Sequence, residues 1–343
     1  MFTNEKKNIG IQWHDLQVKD IIQETNRAVT ITLESLDEDL EFYFQAGQFI
    51  NLMVDIDGER YCRSYSISSA PYEEVIKITV QAISGGVVSN YLNTRLEVGM
   101  VLRCSEACGE FITQSTVKQK LFLAAGSGIT PIISLIKNHL YTSSDDCHLF
   151  YFSRSYEETI FVQEISSLCR LYANRLYVHH WHSSSQGRFD FDLGKLKRIN
   201  EAIGLGPDVY LCGPLSWMDK LKASLKPYRF GLGNIYSEEF TAHESADHES
   251  TESSTHKVFV TILGSSYELE ANTNESLLSA MRRHKVPVSF GCELGKCGCC
   301  IAKVLSGELD NSSINFLTED ELKQGYTLCC QAKVKSTAKL EQC

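Results

Sequence analysis

Between Leu16 and about Phe111, apolar and polar residues alternate in short runs. Val29-Thr30-Ile31-Thr32-Leu33 and Ile76-Lys77-Ile78-Thr79-Val80 are the clearest. A period of two is the signature of a strand with one buried face. Gly47, Asp57-Gly58, Pro71, Gly85-Gly86 and Gly99 punctuate the runs. Many short strands at this spacing predict an antiparallel β-barrel or sandwich over residues 12–115. After Lys120 the pattern changes. Leu121-Phe122-Leu123-Ala124-Ala125 is continuously apolar, Gly126 to Pro131 is a glycine turn, and Ile132, Ile133, Leu135 and Ile136 follow at helical spacing. Cys147 to Phe152, a helix near Phe161 to Leu168, Arg175 to His182 and Val209 to Pro214 continue the alternation. Strands alternating with helices predict a parallel α/β sheet over 116–240, with ligand at the carboxyl ends of the strands.

Thr241 to Lys257 contains no large apolar residue and reads as a flexible linker, residues 241–256. Apolar patterning then resumes. Val258 to Leu263 and Tyr267 to Leu269 read as a strand pair around Gly264. A short amphipathic helix starts at Asn274, and Ile301 to Leu305 is another strand, giving a third, α+β domain over 257–343.

Composition narrows the class. The chain of 343 residues is 43% hydrophobic and 22% charged, enough for two or three domains with sizeable cores. Its net charge of −10 disfavours nucleic acid, which needs a basic face, and suits either solubility alone or a partner that docks through basic residues. No run reaches transmembrane length, and Met1 to Gly10 is polar with no apolar stretch behind it, so neither a membrane span nor a signal peptide is expected. With 13 cysteines, a reducing cytoplasm fits better than a disulfide framework.

The cysteines carry the sharpest chemical signal. Cys292, Cys297 and Cys300 fall as Cys-x4-Cys-x2-Cys, and a doublet, Cys329-Cys330, lies about thirty residues on. This is the plant-type spacing for a 2Fe–2S cluster. Two tetrahedral irons sharing two sulfides need four thiolates, and one loop can wrap three of them. Gly295 and Gly298 suit a backbone that must approach the cluster closely and turn its amides toward sulfur. A zinc site usually shows two short Cys pairs, which the x4 gap fits poorly. The residues alone leave open which thiol of the doublet is the fourth ligand.

Other motifs are weaker alone. On a strand, Arg63 and Tyr65 share one face while Ser64 and Ser66 share the other, a set able to hold a flat anionic ligand. Gly85-Gly86-Val87-Val88-Ser89 is either a hairpin turn or a helix start whose amides accept phosphate. Gly126-Ser127-Gly128-Ile129-Thr130-Pro131 is a phosphate cradle at a helix N-terminus, without the full Gly-x-Gly-x-x-Gly. His180 and His182 share a strand face but have no acidic or thiol partner nearby, and read as ordinary strand-end histidines.

Together, Arg63-Ser64-Tyr65-Ser66 and Gly85-Gly86-x-x-Ser89, followed by Ala125-Gly126-x-Gly128-Ile129-Thr130-Pro131 and Cys212-Gly213-Pro214, resemble the ferredoxin–NADP reductase superfamily. The resemblance spans residues from about 15 to 343. It implies an FAD-binding barrel, an NAD(P)-binding domain and a plant-type ferredoxin of β-grasp fold. By position, Arg63 would neutralise the flavin pyrophosphate, Tyr65 would pack on the isoalloxazine, Ser66 would lie near its N5, and Gly85, Gly86 and Ser89 would meet the phosphates. Gly109-Glu110-Phe111 would be a closing strand. Gly126, Gly128, Thr130 and Pro131 would form the nicotinamide-nucleotide loop, with Arg154 at an adenosine-phosphate position. Cys212 and Gly213 would lie beside the nicotinamide, and Phe240 near the flavin. Ser66 and Cys212 are thus the expected catalytic residues. The family places its last cluster ligand before a Gln or small polar residue, which selects Cys330, before Gln331.

The implied activity is an NADH- or NADPH-dependent oxidoreductase passing electrons through FAD and a 2Fe–2S cluster to a redox protein. At finer grain, Cys297 to Cys300, Leu305 to Glu308 and Gly325 to Cys330 resemble reductases that serve hybrid-cluster proteins. Reductase components of Rieske-type oxygenases, such as those acting on quaternary amines, share the layout.

Overall fold

The computed structural model describes residues 12–37, 40–113, 119–189, 207–225, 235–240, 254–262, 264–314 and 316–342. The expected N-terminal stretch and most of the linker lie outside these. The chain forms two compact units. One is His14–Ile50 with Tyr65–Thr241. The other combines Met1–Trp13, Asn51–Ser64 and Ala242–Cys343.

The N-terminal strands are β1 (Trp13–Thr25), β2 (Ala28–Ser35), β3 (Phe49–Ile56), β4 (Glu59–Ser66), β5 (Ile76–Gln81) and β6 (Val101–Ser105). They form one sheet in the order β4-β3-β6-β1-β2-β5, an antiparallel half-barrel. In β2 the inward residues Val29, Ile31 and Leu33 are buried, as the alternation requires. Opposite them Ile31 pairs with Ile78 on β5, joining two apolar faces. Helix α1 (Val87–Thr94) begins at Gly86, so the Gly85-Gly86 segment is a helix start rather than a hairpin turn. Gly109 to Phe111 forms no strand. Cys108 makes a single bridge to Phe49, and Phe111 is buried in the core.

A parallel sheet follows, built from β7 (Lys120–Ala125), β8 (Cys147–Ser153), β9 (Leu176–His182), β10 (Asp208–Cys212) and β11 (Ile235–Glu238). Its order is β11-β10-β7-β8-β9. Both faces are covered, which explains the continuous apolar runs. Phe122 and Ala124 pack toward α2 (Ile129–Thr142) and α3 (Val162–Leu171). Leu121 and Leu123 pack on the other side with Met218 and Leu221 of α4 (Leu215–Leu225). This sheet is held to the half-barrel by polar ties. Ser134 donates to the Ser69 carbonyl at 2.6 Å, and Lys137 bridges Glu73 at 2.7 Å and Glu164 at 2.9 Å. The Phe161 amide donates to Glu24.

The C-terminal sheet runs β13-β12-β18-β14-β16. Its strands are β12 (Thr255–Ile262), β13 (Ser265–Asn272), β14 (Ile301–Ser306), β16 (Tyr326–Leu328) and β18 (Ala338–Gln342). A two-stranded piece, β15 (Leu309–Asp310) with β17 (Lys333–Val334), lies alongside in sequence. Strand β12 thus takes in Thr255 and His256, the last two residues of the expected linker. Strands β12 and β18 are parallel while β12/β13 and β14/β18 are antiparallel, the mixed sheet of a β-grasp fold. Helix α5 (Leu277–Arg283) buries Leu277, Leu278, Ala280 and Met281 against this sheet, and the Ser276 hydroxyl caps it by accepting the Ser279 amide.

One ion pair fixes the register of the parallel sheet. Lys120 on β7 reaches Asp208 on β10 at 2.8 Å, with 4% and 1% of the side chains exposed. Removing one partner leaves a buried charge uncompensated. Asp208→Asn is expected to destabilise this unit by about 3–5 kcal/mol, read as a lower urea midpoint. The pair Lys120→Met with Asp208→Leu should recover most of that loss. A wild-type midpoint for Asp208→Asn alone would contradict the role of the pair.

Candidate functional site

The cluster loop is shaped by backbone that few residues tolerate. Gly295 and Gly298 have φ of 73° and 71°, as the sequence led us to expect, and Glu293 joins them at 56°. A Cβ on Gly295 would lie 2.7 Å from Gln331 Cγ. With that backbone, amides turn onto sulfur. Cys292 Sγ accepts from Leu294 at 3.3 Å and Lys296 at 3.4 Å, and Cys297 Sγ accepts from Cys292 at 3.2 Å. Cys300 Sγ accepts from Cys330 at 3.4 Å, and Gln331 Nε2 donates to Cys330 Sγ at 3.8 Å.

The four thiols fall into two pairs. Cys292 is hydrogen-bonded to Cys297, and Cys300 to Cys330. Within each pair the acceptor is pulled below the usual thiol range. For Cys297 the hydrogen bond from Cys292 is the main cause, with one from Cys299 adding to it, and for Cys330 it is that from Cys300, with the Gln331 side chain and the Gly295 amide adding to it. Among the described residues no three His, Cys, Asp or Glu side chains are grouped to hold a metal ion. Two pairs of thiols with amides aimed at them nonetheless suit a dinuclear cluster, in which each iron takes two thiolates.

Both residues of the doublet are buried in the core. The Cys329 carbonyl accepts the Leu278 amide at 2.7 Å and its own amide donates to the Cys300 carbonyl at 3.0 Å. Cys329 is fully buried in the hydrophobic core below the loop. Cys330 carries the thiol that meets Cys300. Cys299 donates to Cys297 as well and lies 2.9 Å from Cys62, sulfur to sulfur.

In the other unit, β7 runs into Gly126-Ser127-Gly128 and then α2, whose first turn no side chain caps. A Cβ on Gly128 would collide with the Cys212 carbonyl, so only glycine lets the helix start this close to the end of β10. Thr130 Oγ1 donates to the Ser127 carbonyl at 3.0 Å, and Pro131 sits in the first helical turn. This free helix start has the form of an anion cradle. Tyr151, unnoticed in the sequence, braces it: its hydroxyl donates to the Gly126 carbonyl at 3.3 Å and accepts the Ile160 amide. Gly213 also faces tight quarters, its Cβ position lying 2.8 Å from Ala125 Cβ. Arg154, at the end of β8, is 75% exposed and 3.7 Å from Glu158.

The two expected catalytic residues are linked by a third that sequence reasoning passed over. Glu238, at the end of β11, accepts from the Ser66 hydroxyl at 3.4 Å. It is also close enough to Cys212 to raise that thiol further, on top of the larger effect of complete burial. The Glu238-Glu239-Phe240 pattern was the available signal, but it pointed to Phe240, which is 44% exposed. Tyr65 stands beside Ser66 on the same segment, half-buried. In α1 the Ser89 hydroxyl is within 3.5 Å of the Gly86 carbonyl, and a Cβ on Gly86 would meet that hydroxyl at 2.5 Å, while Gly85 has φ of 72°. Arg63 lies with its guanidinium 5.0 Å from the Phe290 ring centre and donates to the Cys62 carbonyl.

Comparison with known proteins agrees with this geometry. An oxidoreductase FAD-binding domain model matches residues 14–112, an oxidoreductase NAD-binding domain model 122–222, and a 2Fe-2S iron-sulfur cluster binding domain model 260–335. The chain is 34% identical to NADH oxidoreductase HCR of Escherichia coli, over 92% of this chain and 93% of that one. It is 28% identical to the ferredoxin reductase component of 3-ketosteroid-9-alpha-monooxygenase from Rhodococcus rhodochrous, over 93% of each. The solved phthalate dioxygenase reductase superposes with a TM-score of 0.64 at 25% identity, covering 96% of this chain and 97% of that one. No helix among the described residues is long and apolar enough to cross a membrane. The chain therefore belongs to the ferredoxin–NADP reductase superfamily, as an NAD(P)H oxidoreductase with FAD-binding, NAD-binding and C-terminal 2Fe–2S domains that transfers electrons to a redox partner.

Proposed function

We propose that the electrons leave this protein for a hybrid-cluster protein in the cytoplasm. The 34% identity with NADH oxidoreductase HCR, nearly end to end, carries this reading. The ferredoxin reductase component of the ketosteroid monooxygenase favours the second reading, an oxygenase partner. The cofactors supply the redox chemistry: hydride transfer from NADH or NADPH at the flavin, and single-electron transfer at the cluster.

The chain's own residues bind and orient. The uncapped start of α2, with Gly126, Gly128, Thr130 and Pro131, holds the nucleotide phosphates. Cys212 and Gly213 border the nicotinamide, and Arg154 serves the adenosine end. Tyr65 and Ser66 would hold the flavin ring, and Glu238, which accepts from the Ser66 hydroxyl, would orient that hydroxyl toward it. Phe240 covers the flavin from the end of β11. Gly85, Gly86 and Ser89 at the start of α1 take the flavin phosphates, with Arg63 neutralising their charge. Cys292 and Cys297 hold one iron, Cys300 and Cys330 the other. The thiol pairing supports Cys330 over Cys329.

Three outcomes test these assignments. Cys330→Ser should lose or displace the cluster. Cys329→Ser should keep it, with about 1–3 kcal/mol of stability lost to the buried hydroxyl. Iron content and visible spectrum decide, and the reverse pattern would refute the ligand choice. Arg63→Ala should weaken flavin retention by about tenfold or more, since a hydrogen bond to a charged group contributes about 1.5–3 kcal/mol. Unchanged flavin stoichiometry after gel filtration would contradict it. For the acceptor, NADH-reduced protein would be mixed anaerobically with a hybrid-cluster protein and, separately, with a Rieske oxygenase component. Faster reoxidation by the hybrid-cluster protein is expected, and faster reoxidation by the oxygenase component would favour the second reading.

A further inference from the structure

Asn51 lies on β3 and is fully buried, which an amide side chain tolerates only when its polar atoms are paired. Its partners are not local. Asn51 Oδ1 accepts from the Ser64 hydroxyl at 2.7 Å, across the β3–β4 hairpin. Asn51 Nδ2 donates to the carbonyl of Cys297 at 3.2 Å, 246 residues away. The bond thus ends on the peptide of a cysteine assigned above to the cluster.

Three further contacts surround it. Cys62, also on β4, meets Cys299 sulfur to sulfur at 2.9 Å. The Arg63 guanidinium covers the Phe290 ring, which Arg282 covers as well, 4.8 Å from its centre. Gly291 leaves the space open: a Cβ there would lie 3.3 Å from Ser64 Oγ, 3.0 Å from Cys297 Sγ and 3.1 Å from Cys299 Sγ. Residues 51, 62, 63 and 64 therefore grip residues 290–299, and Ser64 is followed directly in the chain by Tyr65 and Ser66.

We infer that Asn51, oriented by Ser64, is a positioning residue for electron transfer into the cluster. It fixes the Cys297 peptide to β3 and, through Ser64, to β4. The bond carries no proton and no substrate. Its work is to hold distance and orientation, on which transfer rates depend steeply. The inference rests on the ligand assignment proposed above.

The test uses full-length protein carrying both flavin and cluster. Asn51→Leu removes both hydrogen bonds, and Ser64→Ala removes only the hydroxyl that orients the amide. Anaerobic stopped-flow with NADH separates bleaching of the flavin from the later reduction of the cluster. Flavin bleaching should keep its wild-type rate in both variants. Cluster reduction should slow about tenfold or more in Asn51→Leu and to a smaller degree in Ser64→Ala. Hydrogen exchange supplies a readout independent of turnover. Peptides covering 290–297 should exchange several-fold faster in the variants, while 326–332 stays protected. The paramagnetic signal of the chemically reduced cluster should be unchanged, which shows an intact cluster held loosely.

Wild-type cluster reduction together with wild-type exchange at 290–297 would overturn the inference. Should Asn51→Leu fail to load its cluster, Ser64→Ala decides on the same two readouts. Failure of the underlying assignment looks different: the wild-type protein itself would show no cluster reduction, or would keep its cluster in Cys330→Ser.

Discussion

Charge buried on sulfur is the constraint on which the C-terminal unit depends. Cys292, Cys297, Cys300 and Cys330 gather their sulfurs within one loop and its neighbour, and a charge on any of them loses water there and needs donors. The donors here are backbone amides, from Cys292, Leu294, Lys296 and Cys330, with the Gln331 side chain. Amides point inward only if the backbone turns inward, which explains Gly295 and Gly298 in the left-handed region. The turn must also be anchored. The start of α5 binds the Cys329 carbonyl, and Cys329 and Cys330 are both buried in the core beneath the loop. Helix, core and loop thus serve one electrostatic demand.

The other unit meets a demand of a different kind, close approach. The start of α2 lies against the end of β10 so tightly that Gly128 has no room for a side chain. The same closeness brings three strand ends together. Ser66 from β4, Cys212 from β10 and Glu238 from β11 are neighbours, although they are 146 and 26 residues apart in order along the chain. Lys137 and Ser134 on α2 tie this arrangement to the half-barrel through Glu73 and Ser69. A buried polar tie of this sort fixes register, because any sliding leaves a charge or carbonyl unmatched.

Much of this was legible in the sequence, for reasons that can be named. Periodicity separated the strands of residues 16–105 from the alternating strands and helices after Lys120, because one-sided and two-sided burial write different patterns. The cluster loop was legible because metal chemistry fixes both residue type and spacing. The Gly85-Gly86 segment was ambiguous, since glycines start helices and make turns alike. Structure decided for α1. The expected strand at Gly109–Phe111 was absent: Phe111 is buried for packing, and that burial needs no ladder. Tyr151 and Asn51 were illegible, and Glu238 was hidden in a pattern that pointed to Phe240 instead. Each acts through a partner far off in sequence, and a single carboxylate, phenol or amide carries no spacing signal. Within Cys329-Cys330 spacing alone left the choice open, because adjacent residues differ by one position, and the preference for Cys330 came from the resemblance.

The central claim is a single electron path from NAD(P)H through flavin to the cluster. Its most direct measurement is an anaerobic titration of the purified protein with NADH and NADPH, followed together by visible absorbance and electron paramagnetic resonance at low temperature. Flavin should bleach with at least one of the two nucleotides, and, as reducing equivalents accumulate, the signal of a reduced 2Fe–2S cluster bound to four thiolates should appear. Bleaching with no cluster signal, even with excess nucleotide, would contradict this path.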